Sequence, residues 1–333
     1  MLLVVLALGT GCGPGPLATP DPASAPPQAA PEAPSPSLTS APTALAIDPG
    51  NVDPQPPPEP IWSGSDPTGS TVPFHPAIDP QGRIWVGAAK QNRFLVFDRD
   101  GQFIESWGTA GSAEGEINFM HNGDSFGGIA FASDGGFFVS ESGNRRVSRF
   151  DSDRNFQFAF GSFGTGDDQF LVPNAIALDA ADNVYVHDDE LNVTKMFNPD
   201  GHFVRTVAEG SQPMVSVTGD GHVYAAMWQP NLLNEYDPDG VLVRSIDLDG
   251  LVARPRAADV KVDAKGHIWI SSVTERGPAD LADKLVELDR DGTLLHRWDG
   301  LAVTQFVIDP QGDRLYATFW EQPFLAAYAL PGT

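Results

Sequence analysis

Basic residues, cysteine and long apolar runs are all scarce in this chain of 333 residues. Its 20 Lys and Arg stand against 44 Asp and Glu, a formal net charge of −24, so a cationic surface for nucleic acid is not expected. The single cysteine, Cys12, excludes an intramolecular disulfide. The apolar run at 2–8 is too short to cross a bilayer. What remains is an acidic chain, 41% hydrophobic, that is long enough for a large core.

The N-terminal segment is typical of an export signal followed by a tether. Residues 1–12, an apolar run and then Gly-Thr-Gly-Cys, resemble a bacterial lipoprotein signal, which implies lipidation at Cys12 and a place in the cell envelope, either anchored or secreted to the periplasm. A stray N-terminal cysteine is the alternative. Residues 13–58 are rich in Pro, Ala and Ser and are expected to form a disordered tether. The chain would then meet a membrane only through its lipid.

A tight Asp/Gly turn that leads into a β-branched or aromatic strand recurs six times. The equivalent turn positions are Gly82, Gly135, Asp182, Gly221, Gly266 and Gly312. Their mean spacing of about 46 residues is that of a β-propeller blade. A second turn follows each of the first five, which leaves room for four short strands in every repeat. The sequence therefore predicts an all-β fold over 59–333, a six-bladed β-propeller of four-stranded antiparallel blades.

The last repeat ends before its outer strand, because only five residues follow Tyr328. A matching strand occurs at the other end of the domain, where 59–64 is similar to the outer strand of the first repeat at 104–108. Pairing this N-terminal strand with the last repeat would close the ring and cover its exposed edges.

Connections of two kinds alternate along each predicted blade. Those between strands one and two, and between strands three and four, are tight turns, whereas others are long, at 109–127, 162–173 and 273–284. In an up-and-down blade the long connections emerge on one face. A specific site is therefore expected on that face, at the mouth of the central channel.

The segment 139–179 resembles an NHL repeat. It contains Ser-Gly-Asn-Arg-Arg at 142–146 and Gly-x-Gly-x-x-Gln-Phe-x-x-Pro at 164–173. The resemblance extends over about 59–333 and is closest in blades one to three. It implies a six-bladed propeller but no particular function.

Two groups of enzymes have a similar architecture. Peptidyl-hydroxyglycine lyases carry zinc-binding histidines before the first strands of several blades, and the matching positions here are Phe74, Asn174 and Ala258, so that triad is absent. Lactonases of the gluconolactonase type hold a divalent metal with Asn, Asp and Glu, and this resemblance carries over to Asn174, with Asp259 one place late and Gln305 in the similar place of blade six. Oxygen donors of this kind suit Ca²⁺. Capping of strand ends by the same side chains is the alternative.

Other residues of the long-loop face are further candidates. His75 and His121 lie in loops that lead into blades and could face each other, or a metal such as Zn²⁺, across the channel. The acidic run 187–190 could hold a cation. Trp228 and Trp320, at the ends of second strands, could stack on a sugar ring or anchor a partner. The alternatives are free loop histidines, a solvated acidic loop and packing of both tryptophans between blades.

Signatures of the common catalytic centres are missing, among them Gly-x-Ser-x-Gly, a Cys/His pair, a phosphate loop and a haem motif. The leading interpretation is therefore a secreted, lipid-anchored, monomeric propeller that binds a protein or small-molecule ligand and requires no cofactor. The alternative is a metal-dependent hydrolase of lactone-like substrates that uses Asn174, Asp259 and His75, with Ca²⁺ or Zn²⁺. A sensor domain for an extracellular ligand is the third interpretation.

Overall fold

The computed structural model describes residues 44–47, 52–69, 72–88, 90–210, 214–227, 230–249, 251–252, 257–272, 283–319 and 323–331. Every regular element in these ranges is a strand, and none of these residues belongs to a helix that could cross a membrane. In chain order the strands are β1 (Leu45–Ala46), β2 (Trp62–Gly64), β3 (Pro73–Ile78), β4 (Ile84–Ala88), β5 (Arg93–Phe97), β6 (Phe103–Trp107), β7 (Met120–His121), β8 (Asp124–Ser125), β9 (Gly127–Phe131), β10 (Phe137–Glu141), β11 (Arg146–Phe150), β12 (Phe156–Phe160), β13 (Pro173–Leu178), β14 (Val184–Asp188), β15 (Val193–Phe197), β16 (Phe203–Glu209), β17 (Val215–Val217), β18 (Val223–Met227), β19 (Leu232–Tyr236), β20 (Leu242–Asp247), β21 (Ala257–Val262), β22 (Ile268–Ser272), β23 (Lys284–Leu288), β24 (Leu294–Asp299), β25 (Gln305–Ile308), β26 (Arg314–Thr318) and β27 (Leu325–Ala329).

Six four-stranded antiparallel blades form the domain. Blades one to five are β3–β6, β9–β12, β13–β16, β17–β20 and β21–β24, and blade six is β25–β27 completed by β2. The first strands of successive blades contact one another, and β25 contacts β3, so these strands line a closed ring. The prediction of an all-β, six-bladed propeller is confirmed.

The repeated turn chemistry explains why the blades form. In blade one the Asp79 carboxylate accepts hydrogen bonds from the backbone N–H groups of Gln81 and Arg83, at 3.0 and 2.9 Å. Gly82 has a φ of 78°, which glycine adopts without steric cost. The indole of Trp85 donates to the same carboxylate at 2.9 Å, which ties the turn to the buried second strand.

The core lies between neighbouring blades. The second strands of blades one to five are buried at every position. Between blades one and two, Trp85, Trp107, Phe137 and Phe150 form an aromatic cluster with ring centroids 5.0 to 5.8 Å apart. Such contacts join adjacent blades into one domain.

The N-terminal strand closes the ring, as predicted. We call β2, residues Trp62–Gly64, the clasp; it pairs antiparallel with β27, with Trp62 opposite Ala327. The Trp62 indole donates to the Arg99 carbonyl at 3.1 Å and covers Gly101, where an added Cβ would come within 2.6 Å of the ring. The clasp therefore links blade six to a turn of blade one.

In two described stretches before the clasp, 44–47 and 52–58, the chain pairs with blades where a disordered tether was expected. Strand β1 pairs in parallel with β20 and becomes a fifth strand of blade four. Farther on, Gln55 bridges Trp298 of blade five, and Ile47 packs against the core. The open outer edges of these blades offer unpaired backbone groups, which explains why a proline-rich segment lies along them.

Candidate functional site

Three β-bulges lie at the channel mouth. In blades one, three and five the first strand carries one extra residue near its start, relative to the second strand. His75, Asn174 and Asp259 lie in or beside these bulges. Because a bulge changes the direction of a side chain, bulges are often found next to functional sites.

His75 adopts a φ of 40°, in the left-handed region that few residues other than glycine occupy. Its backbone N–H donates to Gln305 Oε1 at 2.6 Å, and its side chain is hydrogen-bonded to Asn174. Burial, and to a smaller extent the positive charge of Lys261, lower the pKa of His75 to about 3. The imidazole is therefore neutral near pH 7.

An amide–carboxyl pair lies at the mouth in blade three. Asn174 Nδ2 donates to Asp189 Oδ2 at 2.9 Å, while Asn174 Oδ1 accepts from the Gly127 N–H at 3.1 Å. Asp189 Oδ1 is buried without a hydrogen-bond partner, 3.6 Å from His187 Nε2. Burial, aided by the charge of Asp188 and opposed by the Asn174 bond, raises the pKa of Asp189 to about 7. The Asp189 side chain as a whole is 28% exposed, although its Oδ1 atom is buried.

The first two residues of the acidic run 187–190 are buried. The buried Asp188 carboxylate orders the loop, because it accepts hydrogen bonds from the backbone N–H groups of Leu171, Val172, Glu190 and Leu191. His187 is also buried, with Nδ1 3.2 Å from Thr194 Oγ1, and burial lowers its pKa to about 4. The loop thus holds Asp189 in one place, and cation binding by this run stays a prediction.

A polar rim, which includes Glu190 next to Asp189 in the chain, connects loops of neighbouring blades. His121 Nε2 lies 3.2 Å from Glu190 Oε1, and His121 Nδ1 lies 3.2 Å from Arg145 Nη2. The Arg145 guanidinium is 5.2 Å from the ring centroid of Phe163, which is 69% exposed. These contacts join loops of blades two and three; that His121 faces His75 or a metal stays a prediction.

The oxygens proposed for a metal at Asn174 and Asp259 are already engaged. Asp259 Oδ1 accepts from the Val260 N–H at 2.8 Å and from Lys261 Nζ at 2.5 Å, and Oδ2 accepts from the Phe306 N–H at 3.0 Å. The Lys261 ammonium supplies the positive charge that a cation would otherwise provide. As arranged, these donors do not fit a divalent ion, and no step proposed below passes through one.

A cluster of possible metal ligands lies elsewhere, on the tight-turn side of blade five. Asp263, His267 and Glu287 each offer one ligand atom, and all three atoms lie within 4.8 Å of one another. Sequence reasoning did not find this cluster, because Glu287 belongs to a different strand, and its closeness depends on strand register.

Several sequence candidates cannot be placed. Trp228, Trp320 and Cys12 lie outside the described residues, as do 273–282 of the long connection in blade five. Conversely, Arg145, Asp189 and Phe163 become candidate site residues only through their contacts and burial in the folded structure. Asp189 stood within the acidic run, but nothing in the run distinguished it from its neighbours.

No family model matches the chain. Protein brain tumor of Drosophila melanogaster is 28% identical over 108 residues, 32% of this chain, and the chain spans only 8% of that protein. Membership of the NHL family therefore stays a prediction.

Solved structures match most of the chain. A gluconolactonase of Xanthomonas campestris has a TM-score of 0.60 at 18% identity, covering 82% of this chain and 89% of that one. The likeness is one of fold. A streptogramin B lyase has a TM-score of 0.56 at 11% identity, covering 80% and 96%. A virginiamycin B lyase of Staphylococcus aureus, inactivated by a histidine-to-alanine substitution and bound to quinupristin, has a TM-score of 0.52 at 10% identity, covering 82% and 89%.

Proposed function

We propose that this propeller hydrolyses a lactone-like ester at its channel mouth, with Asp189 as the general base. The observation that carries the proposal is a carboxyl of pKa about 7, with Oδ2 held by Asn174 and Oδ1 buried and unpartnered. A base with a pKa near neutrality is ionised in part at working pH and still accepts a proton readily. The fold likeness to gluconolactonases supports the same activity by analogy.

Hydrolysis begins when a water molecule attacks the carbonyl carbon. Ionised Asp189 takes a proton from that water as the new carbon–oxygen bond forms. The same proton then passes to the ring oxygen as the ring carbon–oxygen bond breaks. Neutral His187, with Nε2 3.6 Å from Asp189 Oδ1, adds no positive charge that would lower the pKa of Asp189. Lys261 is the candidate for stabilising negative charge on the carbonyl oxygen.

The test uses the purified full chain with a panel of δ- and γ-lactones and quinupristin. Proton release is followed with a pH indicator and corrected for spontaneous hydrolysis. We expect kcat to rise with pH through about 7 and to fall 10²–10⁴-fold in Asp189→Asn, as is typical for loss of a general base. Glu190→Gln, on the same loop, is the matched control and should retain activity. No rate above background, or full activity in Asp189→Asn, would overturn the proposal.

Ligand binding without catalysis is the second candidate function. It is favoured by the rim, where Arg145 lies against exposed Phe163 beside His121 and Glu190. In that case a ligand would bind wild type and Asp189→Asn equally and remain unchanged. Sensing of an extracellular ligand would give the same result.

Envelope location through a lipid at Cys12 is a proposal from the sequence alone. If the lipid anchors the chain, Cys12→Ser should move it from the membrane fraction to the soluble fraction of cells. A substituted chain that still fractionates with membranes would contradict the anchor.

A further inference from the structure

Three strands of blade five bring a histidine and two carboxylates together on the side opposite the channel mouth. Asp263 opens the turn after β21, His267 precedes β22, and Glu287 lies in β23. His267 Nδ1 lies 2.7 Å from Glu287 Oε1 and 3.9 Å from Asp263 Oδ2. The Asp263 and Glu287 side chains are each only 6% exposed, whereas His267 is 28% exposed and reaches solvent.

Both carboxylates are also held by groups outside this triad. His296 Nδ1 lies 2.7 Å from Glu287 Oε2, and its ring stacks on Trp298 with centroids 5.6 Å apart. Asp263 Oδ1 accepts the backbone N–H groups of Lys265 and His267, both at 2.9 Å, and the Trp269 indole donates to Asp263 Oδ2 at 3.2 Å, which leaves Oδ2 as the oxygen that faces His267. Outer partners of this kind orient carboxylate ligands in metal sites.

Blade four shows what the same positions look like with a permanent cation. The places of Asp263, His267, Glu287 and His296 are taken there by Thr218, His222, Glu235 and Arg244. Arg244 pairs directly with Glu235 and neutralises it. Blade five has one more carboxylate and, among its described ion pairs, only histidine partners for Asp263 and Glu287. Among the described ion pairs, the two blade-five carboxylates therefore have no lysine or arginine partner, unlike Glu235 in blade four.

We propose that Asp263, His267 and Glu287 bind a divalent transition metal, for which Zn²⁺ is the probe. Imidazole nitrogens and carboxylate oxygens both ligate zinc, and these three side chains would leave a fourth tetrahedral position open to water. Bonds of about 2.0–2.2 Å place tetrahedral ligand atoms roughly 3.3–3.5 Å apart. The observed separations of 2.7 and 3.9 Å each need to change by less than about 1 Å to reach that geometry. Because a metal ion and protons compete for the same ligand atoms, binding should weaken in acid.

The test is calorimetric titration of the full chain with Zn²⁺ at about pH 7.5, repeated at about pH 5.5. We expect one ion per chain, weaker binding at the lower pH, and a visible Co²⁺ spectrum of low coordination number. His267→Gln and Asp263→Thr, the latter installing the blade-four residue, should each weaken Zn²⁺ binding at least tenfold. His222→Gln in blade four is the matched control and should leave it unchanged.

The melting temperature with and without Zn²⁺ provides a second measurement of binding in case a variant is unstable. Zn²⁺ should raise the melting temperature of wild type and His222→Gln, but not that of His267→Gln. Absence of bound ion in wild type, or equal binding in His267→Gln, would overturn the site. Asp189→Asn should bind Zn²⁺ like wild type, so this test and that of the proposed hydrolase fail independently.

Discussion

Replacing Asp189 by asparagine should stabilise the folded protein at about pH 8 while abolishing the proposed activity. The pKa of Asp189 is about 7 in the folded protein, against an ordinary value of 3.8, chiefly because the buried carboxyl loses hydration. The folded-state pKa is raised, so between pH 3.8 and about 7 the unfolded chain releases its proton first. The free energy of unfolding therefore falls as pH rises through this window. Above it, the full destabilisation by the buried, ionised Asp189 applies.

The size of the effect follows from the two pKa values. A difference of about 3 corresponds to roughly 4 kcal/mol, since one pKa step is worth about 1.4 kcal/mol. The side chain is 28% exposed, and solvent screening reduces the expected gain for Asp189→Asn to about 2–3 kcal/mol at pH 8. Near pH 4, where the folded-state acid is neutral, the gain should shrink to under about 1 kcal/mol.

Urea unfolding followed by tryptophan fluorescence, at several pH values from about 4 to 8, measures this difference. Glu190→Gln is the control, because its half-exposed carboxylate should change stability by less than about 1 kcal/mol at any of them. A constant difference between Asp189→Asn and wild type across the range would mean that folding does not raise this pKa. The assignment of Asp189 as general base would then lose its support.

Two further predictions concern the fold. Deleting 59–64 should abolish cooperative thermal unfolding, because the clasp completes blade six. Deleting 13–43 should leave the melting temperature unchanged. Equal melting temperatures for the two deletion variants would refute the role of the clasp. Glu141→Ala should destabilise the protein by about 3–5 kcal/mol in denaturant unfolding, because Arg146, 3.0 Å from the buried Glu141 carboxylate, would lose its counter-ion. An alanine variant as stable as wild type would contradict that reasoning.

The fold could be predicted from the sequence because propeller blades are built from local signals. A turn such as 79–83 is specified by a glycine that accepts positive φ and an aspartate that bonds the adjacent backbone. Six copies of the turn, with a mean spacing of about 46 residues, then fix the number of blades. The clasp was predictable for the same reason, since a missing strand at one end matched an extra strand at the other.

The site was predictable only as a location. The sequence indicated the long-loop face and singled out Asn174 and Asp259, but not that their oxygens are engaged by backbone of neighbouring blades. It also missed the path of β1 along blade four, because pairing to an outer edge leaves no periodic pattern in a proline-rich segment.

The sequence by itself determined the all-β class, the six blades, the closing strand and the face on which a site should be sought. Only the tertiary structure decided which side chains on that face are placed to take part in chemistry. The pKa of Asp189 depends on burial and on Asn174, and the blade-five cluster depends on the register that sets Glu287 beside His267. Adjacent residues determine the conformation of a turn, whereas desolvation and cross-strand contacts arise only when distant segments pack together.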